Sequence, residues 1–291
     1  MRLNVIGCGR AGGTVASALL QTGLIEIGQV MNLSLGSAKA AVAALGAGRA
    51  IAQPSDFSDA DIWLISTADG EIANSAIQLA ASRENLDDCL AFHLSGRFGP
   101  EVLRTLREAG AHTAAVHPVR SMPRLSTQAD EFIGTICVAE GDAPALATLE
   151  RLFLAAGAGW HEVTGLDRGL YHAALAIISN VTKGVIWKAQ NWLEASGLHS
   201  ETAAAVSHSL LSITTEDVFR EGARHSITGP VVRGDTSTVE AHIKALKKVG
   251  RHDAETYRVL ARTVLELANE RGDLSEEVLQ RFEILLSEAE N

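Results

Sequence analysis

Two histidines in this sequence occupy positions that suit proton transfer, and an asparagine near one of them could orient the substrate. His117 precedes Pro118 at the end of an apolar run, and His172 lies in a largely apolar segment that also contains Asn180. An imidazole in such a place can donate a proton to a carbonyl or imine that is being reduced. We therefore name His117, His172 and Asn180 as candidate catalytic residues. The alternative for each histidine is a structural imidazole held by hydrogen bonds.

Further side chains have the chemistry to hold a small acidic ligand. The guanidinium groups of Arg120 and Arg233 suit a carboxylate, and Asp235 follows Arg233 in the loop TGPVVRGD. Tyr171 and Ser95 complete the candidate substrate-binding set, and Ser95 also suits a cofactor. The alternatives are a solvated charge for Arg120, a strand-ending turn for Ser95, and a tight turn with an Arg–Asp pair for the loop.

A glycine motif begins the chain. The apolar run Met1–Ile6 leads into G-x-G-x-x-G, formed by Gly7, Gly9 and Gly12, and then into a helical pattern. Strand, glycine turn and helix in this order predict a dinucleotide site, in which the helix N-terminus binds the pyrophosphate. Gly13 stands where a Walker phosphate loop needs Lys, which excludes that motif. The candidate cofactor-binding residues here are Gly7, Gly9, Arg10, Ala11 and Gly12.

The predicted second strand, residues 29–34, ends without the acidic residue that holds the ribose hydroxyls of NAD. Asn32 and Ser34 stand there instead, and both can bind a 2′-phosphate without repelling it. This pattern favours NADP(H) over NAD(H) as the cofactor. The alternative is that Ser34 and Ser37 only cap the next helix, predicted over residues 37–45 with Ser37 as its cap.

Strand and helix signals alternate as far as residue 164, and only helical patterns follow. This arrangement predicts an α/β fold with a doubly wound, mostly parallel sheet in residues 1–164, followed by an all-helical domain in residues 165–291. Ligands of such sheets bind beyond the carboxyl ends of the strands, which adds Ser66 and Thr67 to the cofactor candidates. The segment 170–195 predicts one long helix, which is apolar nearly all round in its first half and therefore buried on most sides.

Composition limits the possible functions. The net charge of −10 argues against nucleic acid and anionic membranes as partners. Three distant cysteines do not form a disulfide framework, and no histidine or cysteine spacing fits a metal site. No secretion signal is visible, so we expect a cytoplasmic protein. We also expect its binding partner to be a small-molecule substrate.

The order of the motifs GCGRAGG, STAD, HLSG, HPVRSM, DRGLYHAALAIISN and TGPVVRGD resembles a known bacterial family. Its members join a Rossmann-like NADP-binding domain to a C-terminal domain of unknown function of the 2520 type. They are relatives of pyrroline-5-carboxylate reductase, ketopantoate reductase and the 6-phosphogluconate dehydrogenase group. The resemblance implies an NADP-dependent oxidoreductase whose helical domain forms a homodimer. Arg168 departs from the Lys common in the family, and Arg120 from a Gln or small residue.

The residues and the resemblance together predict an NADP(H)-dependent oxidoreductase. It would transfer a hydride to a small carboxylate-bearing ketone or imine, as ketopantoate reductase or pyrroline-carboxylate reductase does. The alternative is a non-catalytic NADP-binding sensor or partner-binding protein.

Overall fold

The computed structural model of the chain describes residues 1–83, 85–122, 131–272 and 274–287. Its contacts divide the chain into two compact units, Met1–Ser179 and Asn180–Asn291. The functional boundary between residues 164 and 165 stays a prediction.

The first unit contains a single sheet with the strand order β3-β2-β1-β4-β5-β6-β7-β8. All neighbouring strands are parallel except β6 and β7, so the prediction of a mostly parallel, doubly wound sheet is confirmed. The chain order reverses between β1 and β4, which places the ligand crevice of such a fold at their carboxyl ends. The described strands are β1 (Arg2–Ile6), β2 (Glu26–Met31), β3 (Arg49–Ile51), β4 (Ile62–Ile65), β5 (Leu90–His93), β6 (His112–Pro118), β7 (Ile136–Gly141) and β8 (Gly159–Glu162).

Helices cover both faces of this sheet because its strands alternate their side chains between two apolar cores. Leu3 and Leu64 contribute to one core, and Trp63 and Ile65 contribute to the other. The described α-helices of the first unit are α1 (Arg10–Gln21), α2 (Leu35–Leu45), α3 (Ile72–Ala81), α4 (Arg104–Glu108), α5 (Ala143–Ala155) and α6 (Arg168–Ala176).

The second unit is helical in its described part. Its core is formed by residues such as Val239, Ile243, Leu265 and Phe282, which are all nearly inaccessible to solvent. The prediction of an all-helical region after the sheet is confirmed. The described α-helices are α7 (Thr182–Ala195), α8 (Ser200–Glu221), α9 (Ala223–Ser226), α10 (Thr236–Val249), α11 (Arg251–Arg271) and α12 (Glu276–Ser287).

Two predicted boundaries around the second strand are wrong. β2 covers Glu26–Met31 and ends before Asn32, whereas the sequence predicted a strand over residues 29–34. The cap of α2 is Ser34, not Ser37, although the two serines form a reciprocal capping box. The physical reason is that the hydroxyl of Ser34 accepts the Ser37 N–H, which starts the helix two residues earlier than predicted.

The long helix predicted over residues 170–195 is also corrected. It is interrupted by a π-helical turn at Ile177–Val181, between α6 and α7. No residue of α6, this turn or α7 is buried in the described chain, and Leu170 and Ile178 are about 70% exposed. The apolar sequence of this segment therefore does not mean that it is buried within one chain. Among the described residues, no helix is long and apolar enough to cross a membrane.

Candidate functional site

The three glycines of the turn after β1 have different surroundings. Gly7 has a φ of +88°, and a Cβ there would lie 2.6 Å from the backbone of Ser66. A Cβ on Gly12 would lie 2.5 Å from the Gly7 carbonyl oxygen, so Gly12 lets α1 pack closely on the turn. A Cβ on Gly9 would meet no atom of the described chain within 4 Å. Gly9 is thus the open side of the turn, where a ligand can approach the backbone.

The N-terminus of α1 follows directly and suits an anion. Among the described residues, no side chain caps this helix and no acidic residue lies in its first turn. The first amides of an α-helix lack partners within the helix, and the helix dipole places partial positive charge there. This end of α1, which begins at Arg10, therefore has the donor groups that a pyrophosphate needs.

Asn32 connects the turn after β1 to the start of α2. Its Oδ1 accepts the Cys8 N–H at 2.6 Å, and its Nδ2 donates to the Ser37 carbonyl at 3.1 Å. The side-chain amide of Asn32 thus connects the glycine turn to the first turn of α2, and Ser34 caps that helix. Any direct contact of Asn32 or Ser34 with a cofactor stays a prediction.

One cavity of about 610 Å³ opens at the carboxyl ends of β4, β5 and β6, a volume typical of small-ligand sites. Parallel strands bring their carboxyl ends to one edge of the sheet, and this explains why distant segments meet here. The cavity collects seven of the predicted site residues: Arg10, Ala11, Ser66, Thr67, Ser95, His117 and Arg120.

His117 and Tyr171 form a hydrogen-bonded pair at this cavity. The Nδ1 of His117 lies 2.8 Å from the Tyr171 hydroxyl, and the two rings meet edge to face. A Cβ on Gly96 would lie 2.8–3.0 Å from three atoms of the imidazole, so only glycine leaves room for the ring in this position. α6 supplies Tyr171 and β6 supplies His117, which places the phenol beside a residue that lines the cavity.

The environment keeps His117 neutral at pH 7. Burial lowers the pKa of His117 to about 4, with further lowering by His172 and Arg168, and Asp69 offsets part of this change. Burial also raises the pKa of the Tyr171 phenol above its usual value of 10, and the charge of Arg168 offsets part of this rise. Both groups of the pair are therefore uncharged at neutral pH.

His93 was not among the predicted site residues, but the structure shows that it organises one wall of the cavity. It is fully buried at the end of β5, where its Nδ1 accepts the Ser95 N–H at 3.1 Å. Nε2 must therefore carry the proton and donate to the Gly99 carbonyl at 3.0 Å. Burial lowers the pKa of His93 to about 4. A polar ring inside a continuous apolar strand was the signal in the sequence, because such a ring needs partners.

The remaining predicted residues lie outside this cavity. His172 is exposed on α6, and Asn180 is exposed within the π-helical turn. Their eight-residue spacing predicted one common face of a regular α-helix, and the π-turn changes that period. In the second unit, Arg233 is exposed, and Asp235 caps α10 by accepting the Thr238 N–H at 3.0 Å. Hydrogen bonds from Thr238 and Ser237 lower the pKa of Asp235 to about 2.

Arg120 lies at the mouth of the cavity. Its side chain is exposed, and its Nη1 donates a long hydrogen bond of 3.4 Å to Thr135 Oγ1. Among the described residues, no group of three or more histidine, cysteine or acidic side chains could hold a metal ion.

Two family models match the sequence. Residues 1–118 match the model of a Rossmann-like domain, and residues 135–264 match the model of a domain of unknown function, DUF2520. The chain thus carries a Rossmann-like domain followed by a DUF2520 domain. No curated protein matches the sequence.

Solved structures with the same fold cover nearly the whole chain. Protein TM1727 from Thermotoga maritima is 22% identical with a TM-score of 0.69, and the match covers 93% of this chain and 99% of that one. An imine reductase from Myxococcus stipitatus in complex with NADP⁺ is 20% identical with a TM-score of 0.62, covering 97% and 99%. A pyrroline carboxylate reductase from Plasmodium falciparum with NADP bound is 13% identical with a TM-score of 0.58, covering 99% and 98%. These similarities establish the fold of this chain.

Proposed function

We propose that this protein is an NADP(H)-dependent oxidoreductase that transfers a hydride to a small carboxylate-bearing ketone or imine. The observation that carries the proposal is the cavity, because it joins the uncapped start of α1 to the His117–Tyr171 pair. The first element suits a pyrophosphate, and the second suits proton transfer. That two structural neighbours contain NADP supports the choice of cofactor.

The residues around the glycine turn fit a dinucleotide. The amides at the start of α1 would bind the pyrophosphate across the open side at Gly9, and Ser66 and Thr67 line the adjoining wall. A bound nicotinamide would supply the hydride, and the protein's task is to position the substrate and deliver a proton.

We propose that NADP(H) is preferred over NAD(H). β2 ends at Met31, and the residues from Asn32 to Ala38 include no Asp or Glu. NAD-dependent folds use a carboxylate near this point to bind the ribose hydroxyls, and a carboxylate would repel a 2′-phosphate. The exposed hydroxyl of Ser34 and the N-terminus of α2 that it caps are compatible with a phosphate.

His117 and Tyr171 are our candidates for proton delivery. A neutral imidazole has one donor and one acceptor nitrogen, so it can pass a proton to the phenol without becoming charged for long. Ser95, which lines the same cavity, is proposed to contact the cofactor or the substrate. His172 and Asn180 stay candidate catalytic residues. Arg120, Arg233 and Asp235 stay candidates for the substrate.

We further propose that residues 165–291 form a substrate and dimerisation domain that pairs with a second copy of the chain. The second unit exposes large apolar side chains on two neighbouring helices. Trp187 on α7 is 60% exposed, and Leu210 and Ile213, which lie on one side of α8, are 65% and 55% exposed. Large apolar side chains exposed on neighbouring helices favour a partner that covers them.

The cofactor proposal is tested by thermal unfolding of the purified protein with NADPH or NADH. Binding to the native state alone stabilises it by RT ln(1 + [L]/Kd), about 2.7 kcal/mol at a hundred times Kd. We expect the unfolding temperature to rise by several degrees with NADPH and by less with NADH at equal concentration. An unchanged melting temperature with both nucleotides would rule out the proposed function.

A measurement of substrate turnover distinguishes an enzyme from a non-catalytic sensor. NADPH absorbance is followed with a panel of 2-oxo acids and cyclic imines, and we expect consumption with at least one class. Binding of NADPH without turnover across the panel would favour the non-catalytic sensor instead.

A further inference from the structure

The segment from His93 to Gly99, at the end of β5, is held by a buried side chain of its own. His93 is fully buried, and its ring contacts this segment at two points: Nδ1 accepts the Ser95 N–H at 3.1 Å, and Nε2 donates to the Gly99 carbonyl at 3.0 Å. The Gly99 N–H in turn donates to Glu101 Oε1 at 3.0 Å. The imidazole therefore fixes both ends of the turn that follows β5.

Ser95 is held at its side chain as well as at its backbone. It is 7% exposed and lines the cavity, and its Oγ accepts the Arg97 N–H at 3.1 Å. A serine hydroxyl is also a donor, and within the described chain no group accepts its proton. Buried polar groups of proteins are normally hydrogen-bonded, so an acceptor oxygen of a bound ligand would complete the contacts of this hydroxyl.

The surroundings of Ser95 in the cavity suit an anionic group. The next residue, Gly96, lies so close to the His117 imidazole that a Cβ would be 2.8–3.0 Å from three ring atoms. Arg120 lines the same cavity and follows β6, the strand that contains His117. Asp69, the one carboxylate among the described lining residues, follows β4. Because β4 and β6 flank β5 on opposite sides, the hydroxyl donor and the guanidinium belong to the β5–β6 side of the site.

We propose that the Ser95 hydroxyl donates to the carboxylate of the substrate, and that His93 is the positioning residue that holds Ser95 in place. The inference rests on the proposed function, and it assigns to the substrate a residue that the function leaves between cofactor and substrate. A carboxylate oxygen accepts stronger hydrogen bonds than a neutral group does, and Arg120 supplies the opposite charge. Both ring nitrogens of His93 are bonded to the backbone, so His93 acts only through Ser95.

The role of Ser95 is measured with Ser95→Ala, NADPH and two matched substrates. One is the carboxylate-bearing compound that the panel identifies, and the other carries a methyl group in place of its carboxylate. Loss of a hydrogen bond to a charged group should lower kcat/KM for the carboxylate by at least about 10-fold, mainly through KM. For the methyl compound the loss should be less than about 3-fold, and the Kd of NADPH should change by less than about 2-fold. If the methyl compound reacts too slowly, its inhibition constant replaces kcat/KM.

The role of His93 is measured by loss and rescue. His93→Leu removes both ring contacts, whereas His93→Asn restores an acceptor for the Ser95 N–H. We expect His93→Leu to raise KM for the carboxylate as Ser95→Ala does, His93→Asn to recover most of this loss, and the double variant to be no worse than either single variant. His93→Val replaces His93→Leu if the latter does not fold. Leu90→Ala, at the other end of β5, is the matched control, which should lose stability and keep the wild-type KM.

Each other outcome bears on one of the two proposals. Equal losses for the carboxylate and methyl compounds, or weaker NADPH binding with an unchanged KM, would overturn the assignment of Ser95 and leave the proposed function intact. Additive effects of His93→Leu and Ser95→Ala would overturn the positioning role of His93. A wild-type protein that binds no NADPH, or binds it without turnover of any compound, rejects the proposed function and this inference with it.

Discussion

The two imidazoles at this site, buried His93 and half-buried His117, have similar pKa values and different hydrogen bonds. Both ring nitrogens of His93 are used by backbone groups, which fixes its tautomer and leaves it no capacity for proton transfer. His117 uses only Nδ1 in its contact with Tyr171, and its ring borders the cavity. His117 therefore keeps a ring nitrogen for the proton transfer that we propose, whereas His93 does not.

The low pKa of these histidines predicts how stability depends on pH. Each has a pKa of about 4 in the folded protein, against about 6.5 in an unfolded chain. Between these values the unfolded state binds more protons, so the free energy of unfolding falls as pH decreases from 6.5 to 4. For His93, the more deeply buried of the two, the loss is about 1–3 kcal/mol.

Urea unfolding between pH 4.5 and 7 measures this slope, with His93→Asn as the test variant. Asn keeps an acceptor for the Ser95 N–H and removes the titrating group, so the slope should become shallower. His208→Asn, on an exposed position of α8, is the matched control and should retain the wild-type slope. A slope in His93→Asn equal to that of the wild type would show that His93 does not cause it.

At the scale of elements, the glycines of the β1–α1 junction differ in what an added side chain would disturb. Gly12 is needed for packing, because a Cβ there would overlap the Gly7 carbonyl and the Ser66 side chain. Gly9 is not needed for packing, because a Cβ there would meet no described atom within 4 Å, and only the ligand that we propose would require a glycine at this position. Two neighbouring alanine substitutions therefore act on different properties.

We expect Gly12→Ala to destabilise the protein by about 1–3 kcal/mol through overpacking. Gly9→Ala should change the free energy of unfolding by less than about 0.5 kcal/mol and weaken NADPH binding by about 100-fold or more. Denaturant unfolding and calorimetric titration measure the two effects. Undiminished NADPH affinity in Gly9→Ala would mean that the nucleotide does not cross this turn.

Periodicity was sufficient for elements whose apolar pattern is long and regular. The apolar spacing of the sequence predicts helices over Ile72–Ala81 and Ala143–Ala155, and α3 and α5 have these limits in the structure. The three-residue strand β3 escaped prediction because so short a segment carries no period. The π-turn at Ile177–Val181 left no signal either, because the apolar helical pattern of the preceding segment continues into it.

The sequence also predicted seven of the fifteen described residues that line the cavity, since parallel strands fix where their carboxyl ends meet. It gave no ranking among the polar residues gathered there. Whether His117 pairs with Tyr171, and whether Arg168 keeps two nitrogens unpaired, depends on contacts between segments about fifty residues apart or on side-chain burial. Such contacts follow from tertiary packing, not from local pattern.

At the scale of the whole molecule, the net charge is negative, whereas most of the charged groups at the cavity are positive. The chain carries a net charge of −10, yet the cavity, in its described lining, combines Arg10 and Arg120 with a helix N-terminus and a single carboxylate, Asp69. Long-range attraction of the anionic cofactor that we propose would therefore be weak, and short-range contacts would have to hold it. Salt should accordingly affect the association rate less than it does in proteins with a basic surface.

The exposed apolar face of α7 and α8 leads to the last prediction, on assembly. If a second copy covers this face, Leu210→Glu should bury a charge in the interface and convert the dimer to a monomer at micromolar concentration. Ile77→Glu on α3, where the side chain is 51% exposed, is the matched control and should remain dimeric. Sedimentation equilibrium measures both masses against the 30.7 kDa chain. A wild-type protein that sediments as a monomer at these concentrations would show that another copy does not cover α7 and α8.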